Sequence, residues 1–218
     1  MEDAKILVYD GTFNGFLTAV FVAFEEKIQV SAIQKNRPLQ GGLFSEGRTI
    51  FTAIDKAKRV WSGIQRKSDV AVKNMYFAFL SEAPGIEFLI YRYIKKLFSF
   101  EEQTHMNFST TIAARVHQIA KSVSKEKYHV ESFLQFKRDE NNLFRAIICP
   151  ENDILPLLSK HFRSQFAKQK WLIYDSKRKY GLYYDLHTVT RVLSENTPVY
   201  LTKGAPVVRP ILTEKLSA

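Results

Sequence analysis

One cysteine, Cys149, is all that the 218 residues contain. That excludes an internal disulfide, a cysteine-based zinc site and a Cys-ligated iron–sulfur cluster. The longest apolar stretch, around Phe13 to Phe24, is broken by Asn14, Gly15 and Thr18. A membrane-spanning helix needs roughly 18 or more consecutive apolar residues, so none is expected and no membrane partner is implied. The opening MEDAKILVYDG has neither the basic start nor the small-residue cleavage site of a signal peptide, and a cytoplasmic location is the expectation. The sequence also lacks a Walker loop, a G-x-G-x-x-G, an H-E-x-x-H and a G-x-S-x-G. Nucleotide hydrolysis, nicotinamide chemistry and serine-based hydrolysis are therefore unsupported, and no cofactor or metal is implied.

Aromatic and basic side chains are plentiful. With 17 Phe, 10 Tyr and 45% hydrophobic residues the chain is globular in composition and long enough to bury a sizeable core. The net charge is +10, and the excess is spread: 14 basic against 10 acidic side chains in residues 1–100, 18 against 12 in the remainder. A polyanion is the partner such a balance suits, because Lys and Arg neutralise phosphates whatever the base sequence. The same charge also serves plain solubility.

Periodicity places the elements. Ile6 to Tyr9 reads as a strand that stops at Asp10-Gly11. Thr12 can cap a helix whose apolar residues fall at Phe13, Phe16, Leu17, Val20, Phe21 and Phe24, which is helical spacing without a slip. Asn36 to Arg48 reads as a loop with Leu43-Phe44 as an anchor. Helices follow over about 52–127, capped in turn by Thr52, by Ser68 and by Ser109 or Thr110, with Pro84 in the first turn of the third. Then the period changes. Ser132–Arg138 with Leu143–Cys149, and Trp171–Tyr174 with Gly181–Asp185, read as two hairpins, with a helix from Ile154 to Phe166 between them. His187 to Leu193 reads as a short helix. The expected architecture is α+β, a single domain over 1–195 with a hairpin-rich part at about 130–190 and an extended tail at 196–218. Its helical middle packs with a mainly antiparallel sheet, to which the N-terminal strand adds.

Few residues carry chemistry by position. Asp10 is either a turn and capping residue or a carboxylate presented at a strand end. Ser81-Glu82-Ala83-Pro84-Gly85 resembles the Gly-Glu-Ala-Pro-Gly motif of one class of uracil-DNA glycosylases. There the motif follows a strand and a His-Pro-Ser-like loop completes the site. Here residues 75–80 have helical spacing and no His precedes a Pro, so a junction between helices is expected. Glu126-x-x-His129 has the spacing of half a carboxylate-bridged di-iron site, but no second copy exists, and a structural hydrogen bond or surface charge is the better reading. Imidazoles titrate near neutral pH, which leaves His129 and His161 as candidate general bases. The catalytic candidates are thus Asp10, Glu82, His129 and His161. The candidate phosphate contacts are Lys58, Arg59, Arg66, Lys95, Lys96 and the hairpin tip Lys177, Arg178 and Lys179.

An ordered set of strings carries a family resemblance. It runs from Tyr9-Asp10-Gly11-Thr12-Phe13 and Gly15–Phe21 through Leu43-Phe44, Lys56-Ala57, Arg59-Val60 and Ala78–Glu82. It continues with Glu126-x-x-His129, Phe133-x-x-Phe136, Ile154–Leu158 with His161-Phe162, and Trp171–Asp175. Over about residues 5–190 the chain resembles a bacterial family of domains of unknown function associated with DNA metabolism and DNA repair. Its members are encoded beside a radical-SAM protein, and some are fused to a uracil-DNA glycosylase domain. The resemblance implies a DNA-binding accessory role beside a radical-SAM partner and brings no catalytic residue. With one cysteine, this chain leaves any radical-SAM cluster to that partner. A DNA-processing enzyme using the carboxylates and histidines, and a protein-interaction scaffold, stand as alternatives.

Overall fold

The computed structural model describes residues 4–36, 47–99, 111–140, 142–193 and 207–208. Its fold class is α+β, and the chain divides into two compact units, Met1–Lys121 and Ser122–Ala218. Among the described residues no helix is long and apolar enough to cross a membrane.

The first unit opens with β1 (Lys5–Tyr9), α1 (Phe13–Glu25) and β2 (Val30–Lys35), a right-sized β-α-β crossover that returns the chain parallel to itself. β3 (Gly47–Thr49) pairs with the other edge of β1, also parallel, giving the order β2-β1-β3. This corrects one expectation: β1 does not join the C-terminal hairpins but centres a parallel sheet of its own. Both neighbours are fastened to it, since the Asn36 amide donates to the Tyr9 carbonyl at 2.6 Å and the Ile50 amide to the Val8 carbonyl at 2.7 Å. Helices α2 (Ile54–Lys67), α3 (Asp69–Leu80) and α4 (Ile86–Phe98) follow, and α5 (Thr111–Phe133) runs across the division between the units.

The centre of the α1 face packs where its spacing put it, whereas Phe13 and Phe21 are half-buried and Phe24 is exposed. Phe16, Leu17 and Val20 are fully buried with Leu7, Ile64, Met75 and Ile90, each such side chain contributing roughly 1.5–3 kcal/mol by leaving water. Phe13 meets Tyr76 and Phe79 edge-on, with ring centroids 5.0 Å apart in both pairs. Thr12 and Ser68 cap α1 and α3 as expected, accepting from the amides of Gly15 and Ala71. Two other caps differ. α2 begins after Ala53, without a side-chain cap, because the Thr52 hydroxyl is turned toward Asp10. α4 begins after Gly85, whose φ of 74° suits glycine, and Pro84 lies before the helix rather than in its first turn. Leu43-Phe44 and the Ser109 or Thr110 cap lie outside the described residues.

The second unit holds a mixed sheet of order β4-β5-β6-β7-β8. Its strands are β4 (Lys137–Arg138), β5 (Phe144–Ile148), β6 (Trp171–Asp175), β7 (Tyr180–Tyr184) and β8 (Val189–Leu193). A helix, α6 (Leu155–Gln165), connects β5 to β6, so those two strands run parallel and the remaining pairs of that order antiparallel. Both hairpins are present. The first is shorter than expected, because α5 continues to Phe133 and leaves only Lys137 and Arg138 to pair. Within the expected tail, β9 (Val207–Val208) pairs parallel with β5, and the rest lies outside the described residues. Every residue of β6 is buried, and Phe162 and Trp171 join Phe136, Phe166 and Tyr184 in one aromatic cluster.

The His187–Leu193 helix is corrected to strand β8. Val189, Thr190 and Val192 are β-branched and suit a pleated surface. The turn that leads in is organised by Asp185. Its carboxylate accepts from the amides of His187 (2.8 Å) and Thr188 (2.7 Å) and from the Thr188 hydroxyl (3.1 Å). Those amide bonds, the Thr188 one foremost, bring the Asp185 carboxyl down to about 2. A depressed pKa stabilises the fold above the unfolded carboxyl value, and that contribution disappears as pH falls through the folded one. A carboxyl-carbon NMR titration is therefore expected to place the Asp185 midpoint near 2. A midpoint near the ordinary 3.8 would remove the turn bonds from solution.

Candidate functional site

In parallel sheets, ligands bind outside the carboxyl ends of the strands, where the strand order reverses. Here β1 is followed by β2 on one side while β3 lies on the other, so the reversal falls beside β1. Asp10 ends β1 at this point. Its Oδ1 accepts from the Thr12 amide (2.9 Å) and hydroxyl (2.7 Å), and its Oδ2 from the Thr52 hydroxyl (2.7 Å). Gly15, in the first turn of α1, makes room: a Cβ there would overlap Asp10 Oδ1 and lie 2.8 Å from Thr52 Oγ1. Partial burial pushes the Asp10 carboxyl up, but the bonds from Thr12 and Thr52 outweigh it and hold the group below the usual carboxylate range. The result is a carboxylate lodged at the N-terminus of α1, the place where a helix favours an anion. Such a group suits fixed charge and positioning better than proton abstraction, for which a pKa nearer the working pH is needed.

Glu82 lies at the same end of β1. The charges of both Glu82 and Asp10 help to raise the Tyr9 phenol, after burial and the Glu87 charge. Glu82 holds a left-handed backbone (φ 52°) and faces Lys35 of β2, Nζ to Oε1 3.4 Å. Beneath them the buried Tyr9 hydroxyl donates to the buried Glu87 at 3.0 Å. The Ser81–Glu87 string is a junction between α3 and α4, as its spacing indicated.

The other two catalytic candidates belong to the second unit. His161 Nδ1 lies 3.8 Å from Glu131 Oε1, whose other oxygen is held by Lys127 at 2.6 Å. The His129 ring rests on Phe133, with centroids 4.9 Å apart. His129 Nδ1 and His161 Nε2 are buried without a hydrogen-bond partner among the described residues. Glu126 accepts from the amides of Glu151 (2.7 Å) and Asn152 (2.9 Å) and from the Asn152 side chain (2.7 Å). It clamps a loop, the structural role weighed for it. Among the described residues no three His, Cys, Asp or Glu side chains gather as metal ligands.

The basic candidates divide by exposure. Lys58, Arg59 and Arg66 of α2 and Lys95 of α4 are exposed, and Lys96 is half-buried. Arg59 lies over the Phe21 ring at 5.9 Å. At the β6–β7 turn, Arg178 is directed inward to Asp175 (2.9 Å) and to the carbonyls of Glu151 (2.7 Å) and Pro150 (3.3 Å). Lys177 reaches the Glu151 carbonyl at 3.0 Å, while Lys179 is exposed. Sequence reasoning missed Gly15, Lys35 and Thr52 beside the carboxylates. It also missed a hollow of about 470 Å³ lined by Ser159, Lys160, Arg163, Ser164 and Val189. Lys160 and Arg163, spaced i, i+3 on α6, were the available signal.

A family model described as a domain of unknown function, DUF4130, matches residues 84–205, more than half of the chain. No curated protein and no solved structure matches it.

Proposed function

The chain belongs to the DUF4130 family of domains of unknown function, and from that premise we propose that it is a DNA-binding accessory protein of bacterial DNA repair or metabolism, working beside a radical-SAM partner. One observation carries the reading. Lys58, Arg66 and Lys95 stand exposed on α2 and α4 and form no ion pair with another described residue. Cations without an ion-pair partner among the described residues, in a chain of net charge +10, are available to phosphates. The ordered strings from Tyr9 to Asp175 support the repair context and the radical-SAM partner, whose cluster would sit on that partner. Arg59 and Lys96 extend the contact set in the first unit, and Lys177 and Lys179 are candidate contacts of the second unit by itself.

Anisotropy of labelled single-stranded, duplex and uracil-containing DNA against salt tests this. Log affinity is expected to fall linearly with log salt. Replacing Lys58, Arg66 and Lys95 together by alanine is expected to reduce the slope by about two to three, at roughly 0.7–0.9 per phosphate contact. Absence of binding to all three DNAs at low salt overturns the reading in favour of a protein-interaction scaffold. The shared position of Asp10 and Glu82 at the end of β1 favours a second reading, a DNA-processing enzyme. The same samples decide it: no base release and no strand scission removes it.

A further inference from the structure

Helices α1, α2 and α4 line a groove of about 470 Å³. Phe21 and Phe24 come from α1, Arg59 and Arg66 from α2, Ile94 and Phe98 from α4. Gly63 deepens it, since a Cβ at that position would press on Phe98 Cζ at 3.2 Å. Phe24 is 40% exposed although its ring already meets Phe98 and Tyr91 edge-on. Lys67 lies 6.0 Å from the Phe98 ring centroid. Glu25, the carboxylate in the lining, is bound by Lys56 at 2.8 Å.

We infer that this groove takes an unpaired base of single-stranded DNA, stacked on the exposed face of Phe24 with Phe98 against its edge, and with Arg59 and Arg66 on the flanking phosphates. The inference rests on the DNA-binding reading and names the strand form and the place. A cationic groove with aromatic walls is what sequence-tolerant single-strand binding requires, because every base offers a flat π-face. A groove for an amphipathic protein helix is better served by adaptable Leu and Met side chains. The apolar side chains here, among the described residues, are Phe, Val and Ile. The two guanidinium groups, unlike carboxylates or amides, match phosphate oxygens in pairs.

The test compares a twelve-residue oligothymidylate with an abasic strand of the same length and charge. The abasic strand is expected to bind about tenfold more weakly, the effect of losing one well-stacked base. Phe24→Leu, which keeps the apolar bulk and removes the ring face, is expected to lower oligothymidylate affinity about fivefold or more. The same variant should leave abasic binding and the salt slope nearly unchanged. Equal binding of both strands overturns the inference and leaves the DNA-binding reading standing. No binding of either overturns both. A synthetic Glu- and Leu-containing helical peptide that binds in a Phe24-dependent way, while oligothymidylate ignores Phe24→Leu, also overturns it and assigns the groove to a protein segment.

Discussion

Arg178→Ala is expected to lower the free energy of unfolding by about 3 kcal/mol, read as a shift of the urea midpoint at constant slope. Asp175 is fully buried at the end of β6. Its carboxylate accepts from the amides of Lys177 (2.8 Å) and Arg178 (3.1 Å) and from the Arg178 guanidinium (2.9 Å). Taking the guanidinium away leaves a buried negative charge with two neutral donors, and a buried charge that loses its partner is strongly destabilising. The same side chain holds the carbonyls of Pro150 and Glu151, so the loop after β5 loosens with it. Adding Asp175→Asn to the variant removes the stranded charge and is expected to recover part of the loss. A single-variant loss below about 1 kcal/mol would mean that the two amides alone keep the carboxylate satisfied. For DNA binding the consequence is practical. Neutralising Lys177, Arg178 and Lys179 together confuses unfolding with lost phosphate contacts, and Lys179 alone is the clean probe of the turn.

Gly15→Ala is expected to destabilise, against the ordinary trend. Inside a helix, alanine is favoured over glycine by about 1 kcal/mol. Here the new Cβ overlaps Asp10 Oδ1 and approaches Thr52 Oγ1 at 2.8 Å. Asp10 must swing away and give up bonds to Thr12 and Thr52, or the start of α1 must shift off β1. Overpacking of this kind costs about 1–3 kcal/mol, which offsets the alanine gain and leaves a net loss of up to about 2 kcal/mol. The sign is the test. In an Asp10→Ala background the larger overlap is gone and the Thr52 hydroxyl, no longer bonded to Asp10, is free to turn away, so the same substitution is expected to become neutral or stabilising. Stabilisation by Gly15→Ala in the unmodified chain would show that the bracket around Asp10 is loose in solution.

Much of the fold was legible where a single element carries its own signal. The Phe13 to Phe24 spacing and the Thr12 hydroxyl specify α1 without help from the rest of the chain, and the same holds for Ser68 and α3. What depends on distant partners was not legible. The bond between Asp10 and Thr52 joins residues 42 positions apart, and a threonine before an apolar run reads as a helix cap. A Lys-Arg-Lys tip reads as three solvated cations, since nothing local shows that Asp175 is fully buried or that the carbonyls of Pro150 and Glu151 lie beneath the tip. The β5–β6 pairing is parallel because α6 intervenes, yet each strand by itself fits a hairpin equally well. In HTVTRVL the helical period and the β-branched side chains compete, and pairing with β7 decides for strand. Of the candidate site, Asp10 and Glu82 were found by their strings, whereas Lys35 and Gly15 gain meaning only from what they touch.

The fastening of β2 and β3 to opposite edges of β1 bears on how the chain tolerates insertions. The Asn36 amide is tied to Tyr9, and Gly47 is in register with Ile6, so both ends of the intervening connection are fixed on one strand. Between fixed ends, loop-closure entropy grows only logarithmically, and doubling the number of residues costs about 0.6 kcal/mol. By loop closure alone, residues added between those two fixed ends cost the first unit little, and the parallel sheet and the Asp10 bracket keep their register.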